Sequence, residues 1–181
     1  MSKALDPDPA ETLEMLASKV RAASRSCRVI QLGEVWPGSE NEFIGLCQAQ
    51  TGTEFRDIRL TRESGRTFLY SEQHMTRSYA EAAALSCGTD VCHIIAETVR
   101  MDSRTYPRPT PVAAFEEPPF QLSRDTISRA VEEISGIAGY SDIGLVGASD
   151  GSLFLFSSVH MNPGHAQSLA EWIAVGQMQN P

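Results

Sequence analysis

The sequence lacks the features that would name a chemistry outright. No stretch approaches the roughly 18 consecutive apolar residues that a membrane-spanning helix needs, so no transmembrane segment is expected. The opening MSKALDPDPAETLEML has no basic start followed by an uninterrupted apolar run, so no secretory signal is expected either. Four cysteines in 181 residues are too few for a disulfide scaffold. Together these absences point to a cytoplasmic chain with reduced thiols. Basic residues are also scarce, 15 Lys and Arg against 23 Asp and Glu, for a formal net charge of -8. Such a balance argues against general nucleic-acid binding, and the basic residues lack the aromatic interleaving of a single-strand groove. There is no G-x-G-x-x-G, no phosphate-binding loop, no G-x-S-x-G elbow and no H-E-x-x-H.

What is present is one stretch that occurs twice. Residues 65–85 run GRTFLYSEQHMTRSYAEAAAL, and residues 151–171 run GSLFLFSSVHMNPGHAQSLAE. Aligned without a gap, 8 of the 21 positions are identical: Gly65/Gly151, Phe68/Phe154, Leu69/Leu155, Ser71/Ser157, His74/His160, Met75/Met161, Ala80/Ala166 and Ala84/Ala170. The likeness extends upstream, where Asp57-Ile58-Arg59-Leu60 resembles Asp142-Ile143-Gly144-Leu145. The unit therefore reads as a hairpin followed by a helix. Ser64-Gly65 and Asp150-Gly151 supply the turns. Thr76 and Asn162 are suited to cap the helices that follow, with Pro163 in the first helical turn. The return strands carry apolar side chains on both faces, which places them inside a sheet.

The rest of the chain is expected to build around this unit. Residues 1–8 form a tail, and Asp8 and Pro9 open a helix over 10–24 with Leu13, Leu16, Ala17, Val20 and Ala23 on one side. Cys27 to Trp36 and Glu42 to Gln50 read as two strands joined at Pro37-Gly38. Val91 to Met101 reads as a long central strand. Residues 103–120 carry five prolines, which exclude a helix or a central strand there and predict a partly extended strap. Ser123 caps a helix whose buried side is Ile127, Ala130, Val131, Ile134 and Ile137. The expected fold is α+β, a mainly antiparallel sheet of about six or seven strands with helices packed on it. Two β-hairpin–helix repeats, about 57–85 and 142–172, are expected about a pseudo-two-fold axis. Two separate small sheets are the alternative. The expected organisation is a single domain over 9–181, with halves 9–102 and 121–181 joined by the 103–120 crossing.

Three groups of side chains could carry chemistry. His74 and His160 recur at the strand-to-helix junctions, and with His165 they offer three imidazoles, a common transition-metal set. The structural alternative is that each histidine merely supports its own helix start. Cys87, Cys92 and His93, completed by Cys27 and Cys47, form a second candidate metal set, although structural zinc sites usually use two short-spaced pairs. Arg104, Tyr106 and Arg108 alternate along the Pro-stiffened segment and could present guanidinium groups to a phosphate or carboxylate. From Arg56 to Arg108 there are eight Arg against seven acidic residues, so the negative excess lies elsewhere in the chain.

These features lead to the expectation of a non-catalytic cytosolic binding or accessory module. It would take a partner protein or a small anionic ligand, and two copies could associate through an exposed sheet or the strap. A metal- or cofactor-dependent enzyme with a histidine-lined site between the repeats is the alternative.

Overall fold

The structure, a computed structural model, describes residues 9–49 and 55–176. The expected tail, Asp8 and the break at Thr51-Gly52 lie outside the described residues. The chain divides into two compact units, Met1–Cys87 and Gly88–Pro181.

In the first unit, α1 (Pro9–Arg25) is followed by β1 (Ile30–Gln31), a single helical turn α2 (Leu32–Val35), α3 (Glu40–Ala49), the hairpin β2 (Ile58–Glu63) and β3 (Arg66–Ser71), and α4 (Arg77–Ser86). The sheet is antiparallel with order β1-β3-β2. Strand side chains alternate between faces, and the two faces of β3 meet different helices. Leu69 joins Leu13, Leu16, Ala17 and Val20 of α1 in one core, with Phe43 of α3 and Phe55. Tyr70 joins Met75 and Ala80 on the opposite side, under α4. Small buried side chains at Ala80, Ala83 and Ala84 let α4 lie close on the sheet.

The second unit runs through a similar order. It comprises α5 (Val91–Thr105), β4 (Thr110–Pro111), a 3-10 segment (Val112–Glu116), α6 (Arg124–Ile134), a 3-10 turn (Ala138–Tyr140), β5 (Ile143–Gly147), β6 (Leu153–Ser157), α7 (Pro163–Glu171) and a π-helical turn (Trp172–Gly176). Its sheet is antiparallel with order β4-β6-β5. Leu155 lies in a core with Cys92, Ile95 and Val99 of α5, Ile127 and Ala130 of α6, and Phe115. Phe156 lies with Met161 and Ala166 on the α7 side. The architecture is thus α+β: among the described residues, seven α-helices and two small three-stranded antiparallel sheets packed with helices. The central position of both return strands matches the sequence.

Glycine is required at two kinds of place. Ser64 and Gly65 have φ of 49° and 75°, consecutive positive values that close the two-residue turn between the paired Glu63 and Arg66. At Gly144 an added Cβ would stand 2.6 Å from the Phe156 ring, so the ring of β6 occupies the place of a side chain on β5.

The local caps are as expected. Thr76 accepts from the Tyr79 amide, Ser123 from Thr126 and Asn162 from Gly164. Three expected strands differ. Of Cys27 to Trp36, only Ile30–Gln31 is strand, and the chain then turns through α2. Glu42 to Gln50 falls within α3 as far as the described residues run. Ser39 and Glu42 form a reciprocal capping box: the Ser39 amide donates to Glu42 Oε2 (2.8 Å) and the Glu42 amide to Ser39 Oγ (3.3 Å). Val91 to Met101 is the body of α5, capped where Asp90 accepts from the His93 amide. Its buried Cys92, Ile95 and Val99 are spaced at three and four, a helical face that also reads as a two-faced strand when scanned at period two. With these segments helical, the single sheet of six or seven strands is replaced by two sheets of three.

Candidate functional site

Each unit is tied together by the same buried polar network. In the first, the Asp57 carboxylate accepts from Arg21 Nε (3.0 Å) and Nη2 (2.6 Å), a bidentate pair, and from Ser71 Oγ (2.5 Å). The Ser71 amide in turn donates to Ser24 Oγ on α1 (2.9 Å), and the Glu72 amide to the Asp57 carbonyl (2.8 Å). In the second, Asp142 accepts from Arg100 Nε (3.0 Å), Arg100 Nη2 and Ser157 Oγ (2.7 Å). The Ser157 amide donates to Ser103 Oγ on α5 (3.0 Å), and the Ser158 amide to the Asp142 carbonyl (2.7 Å).

This network crosses from the first helix of each unit to both strands of its hairpin. Asp57 and Asp142 are held down at about 2 chiefly by their arginines, against the opposing effect of burial, with the serine hydroxyls adding to the arginines. Arg100 is further held by Glu97 (2.7 Å) and the Gly139 carbonyl (2.7 Å), and lies over the Tyr140 ring at 5.5 Å. At neutral pH each carboxylate is ionised, and its oxygens are engaged by the arginine and the serine. The networks hold the fold together.

The sequence carries a signal for these networks. Val20-Arg21-x-x-Ser24-Arg25 recurs as Val99-Arg100-x-x-Ser103-Arg104. Reading 91–101 as a strand hides the match, because α1 and the segment then belong to different element types. With α5 recognised, the recurrent unit begins at the helix that precedes the hairpin.

The repeated histidines lie beside this network. His74 and Met75 both donate their amides to the Ser71 carbonyl (3.1 and 3.0 Å), and His160 and Met161 donate likewise to Ser157 (3.1 and 2.9 Å). The methionines are buried and the histidines exposed. His74 Nε2 accepts from Arg25 Nε at 3.1 Å, which joins the end of α1 to the turn before α4. A cleft of about 230 Å³ opens at this corner, lined by Ser24, Cys27, His74, Met75, Thr76 and Tyr79. Burial, with the Cys27 thiol beside it, raises the Tyr79 hydroxyl above its ordinary pKa.

The matching corner of the second unit is different in kind. Arg104 repeats Arg25, but Tyr106 stands where the first unit has Cys27, and His165 where it has Tyr79. Arg104 and Arg108 are exposed, and Tyr106 keeps 48% of its surface in solvent. The Arg108 guanidinium lies over the Tyr106 ring at 5.2 Å, within cation–π range. The Tyr106 amide closes α5 on the Asp102 carbonyl (2.9 Å), and Asp102 accepts from Thr110 Oγ1 (2.9 Å). Burial raises the Asp102 pKa, while Thr110 and the charge of Arg108 pull it down. Proline fixes the backbone on both sides of Arg108, at Pro107 and Pro109, and Pro109 is fully buried. Arg108 and Tyr106 thus stack just beyond α5, and Arg104 sits in the last turn of that helix. The Ser103–Ser157 bond joins this end to the turn carrying His160.

His74 belongs to the first unit and His160 and His165 to the second. Among the described residues, no group of three or more His, Cys, Asp or Glu is arranged to hold a metal ion. All four cysteines are free. Cys92 is buried in the core of the second unit, its thiol raised by burial, whereas Cys27 and Cys87 are exposed.

Two comparisons with known proteins bear on this arrangement. A protein of Escherichia coli (strain K12), named Uncharacterized protein YdhW, is 33% identical over 179 residues, spanning 97% of this chain and 83% of the relative. The chain belongs to the YdhW family. The family described as YdhW C-terminal domain matches residues 89–178, a segment that falls within the second unit and takes in α5, Arg104, Tyr106 and Arg108. No solved structure matches. Among the described residues, no helix is long and apolar enough to cross a membrane.

Proposed function

We propose that this member of the YdhW family is a non-catalytic cytosolic binding module, built by internal duplication. The anionic group of its target, an acidic segment of a partner protein or a small anion, docks on Arg104, Tyr106 and Arg108. The observation that carries this reading is the exposed, proline-braced stack of Arg108 on Tyr106 just past the end of α5, with Arg104 exposed in the last turn of that helix. Guanidinium groups bind carboxylates and phosphates in fork geometry, and a stacked guanidinium loses less freedom on binding than a free one. The features shared by the two units have structural work: the Arg–Asp–Ser–Ser networks join helix to hairpin, and the buried methionines fill the α4 and α7 sides of the sheets. The Tyr106–Arg108 pair belongs to the second unit alone.

Calorimetric titration with a poly-glutamate peptide and with inorganic phosphate, at low and moderate salt, tests the reading. It expects saturable binding to at least one of them, weakened by salt and lowered at least about tenfold in R104A/R108A, since each charged hydrogen bond contributes about 1.5–3 kcal/mol. No binding to either, or binding unchanged in the double variant, overturns it.

A further inference from the structure

Each three-stranded sheet has two edges, and the chain treats them differently. An open edge presents a row of unpaired amides and carbonyls, and proteins usually blunt it with short strands, proline or charge. The edge strands β1 and β4 are two residues long, and β4 contains Pro111. Edge strand β2 carries Arg59, Arg62 and Glu63. Edge strand β5, Ile143-Gly-Leu-Val-Gly147, carries no charge and no proline.

The ladder shows which groups of β5 point outward. The Ser158 amide donates to the Asp142 carbonyl and the Ala148 amide to the Ser152 carbonyl. Antiparallel pairing alternates, so Gly144 and Val146 also face β6, and the backbones of Ile143, Leu145 and Gly147 face away from it. Among the described residues no strand pairs with this edge. The Gly147 carbonyl accepts from Gln167 Nε2 at 2.7 Å, which leaves it one further lone pair. Leu145 keeps 49% of its surface exposed and Leu153, on the same face, 47%.

We propose that β5 pairs with β5 of a second copy of this chain, antiparallel about a dyad at Leu145. The proposal is independent of the anion-binding reading. Its warrant is the self-complementarity of the strand. In this register Leu145 meets Leu145, Gly144 meets Val146, and Gly147 meets Ile143, so each glycine faces a β-branched residue. Asp142 meets Ala148, so no like charges come opposite each other, and its carboxylate is already neutralised by Arg100 within its own unit. Three outward residues on each strand give about six inter-chain hydrogen bonds. On one face Leu155, Leu145 and their copies then form a continuous apolar row across the junction.

Sedimentation over a wide range of protein concentration tests the pairing, together with hydrogen exchange of individual amides. The wild-type chain is expected to dimerise, with the Leu145 amide growing more protected as concentration rises and the Leu60 amide of β2 unchanged. Leu145→Lys sets two ammonium groups opposite each other and is expected to yield a folded monomer, whereas Leu60→Lys leaves the dimer intact. If Leu145→Lys fails to fold, the exchange data on the wild-type chain decide alone. A wild-type chain that stays monomeric overturns the proposal, including one that instead binds an extended apolar peptide. So does a dimer that survives Leu145→Lys, or a Leu145 amide whose exchange ignores concentration.

Discussion

Replacing Asp142 by Asn removes the charge at the centre of the second unit's polar network while keeping its size. Asp142 has only 13% of its side chain exposed, and its carboxyl is held at about 2 against an ordinary 3.8. That depression corresponds to about 2–3 kcal/mol of folding stability at neutral pH. Because the folded pKa is depressed, that stabilisation is complete above the unfolded value, near pH 4. It is lost as pH falls through the folded value near 2. Urea unfolding of wild type and D142N at a series of pH values measures it. The gap is expected to be about 2–3 kcal/mol or more at pH 7, since Arg100 is then left with Glu97 as its remaining carboxylate partner. It should narrow between pH 4 and pH 2. A gap below about 0.5 kcal/mol at pH 7, or one that stays constant down to pH 2, would refute the assignment of Asp142 as the anchor of the network. Asp57→Asn is expected to behave in the same way in the first unit, where Asp57 is 4% exposed and likewise held at about 2.

Other substitutions probe single packing and capping features. Gly144→Ala forces a methyl into the Phe156 ring and is expected to cost about 1–3 kcal/mol in thermal or urea unfolding. Gly33→Ala, where an added Cβ meets nothing within 4 Å, serves as the mild comparison. Ser39→Ala breaks the capping box of α3 and should cost about 1 kcal/mol, with amide exchange at Glu42 rising before that of the α1 amides. Phe115→Ala empties a fully buried site against α5 and α6 and should cost about 3–5 kcal/mol.

What the sequence showed and what it hid divide along the range of the forces involved. The hairpin turns, the return strands and the caps at Thr76, Ser123 and Asn162 depend on neighbours a few residues away, and they are legible. The run Val91–Met101 is ambiguous because Ile94, Ile95 and Val99 satisfy either period, and its β-branched residues favour a strand locally. Burial of Cys92, Ile95 and Val99 on one side, against α6, decides for helix. For α3 the deciding signal was present in Ser39-x-x-Glu42 but is masked by the preceding Pro37-Gly38, which also fits a hairpin loop. The polar networks were hidden for a different reason. Arg21 and Asp57 stand 36 residues apart, and nothing in either neighbourhood announces the other. Only the recurrence of Val-Arg-x-x-Ser-Arg before each hairpin links them. The recurring His74 and His160, with His165, suggest a metal set in the sequence, and the structure gives the His-Met pair of the first copy local partners: Met75 is buried under α4, and His74 accepts from Arg25.

The central functional claim separates the arginines of the framework from those of the surface. Arginine side-chain NMR of the labelled protein, followed while a poly-glutamate peptide or inorganic phosphate is added, addresses that separation directly. The account predicts that the Nε–H signals of Arg104 and Arg108 shift and saturate together, while those of Arg21 and Arg100 stay fixed in their bonds to Asp57 and Asp142. Shifts confined to Arg21 and Arg100, or no shift at Arg104 and Arg108 with either anion, would contradict it.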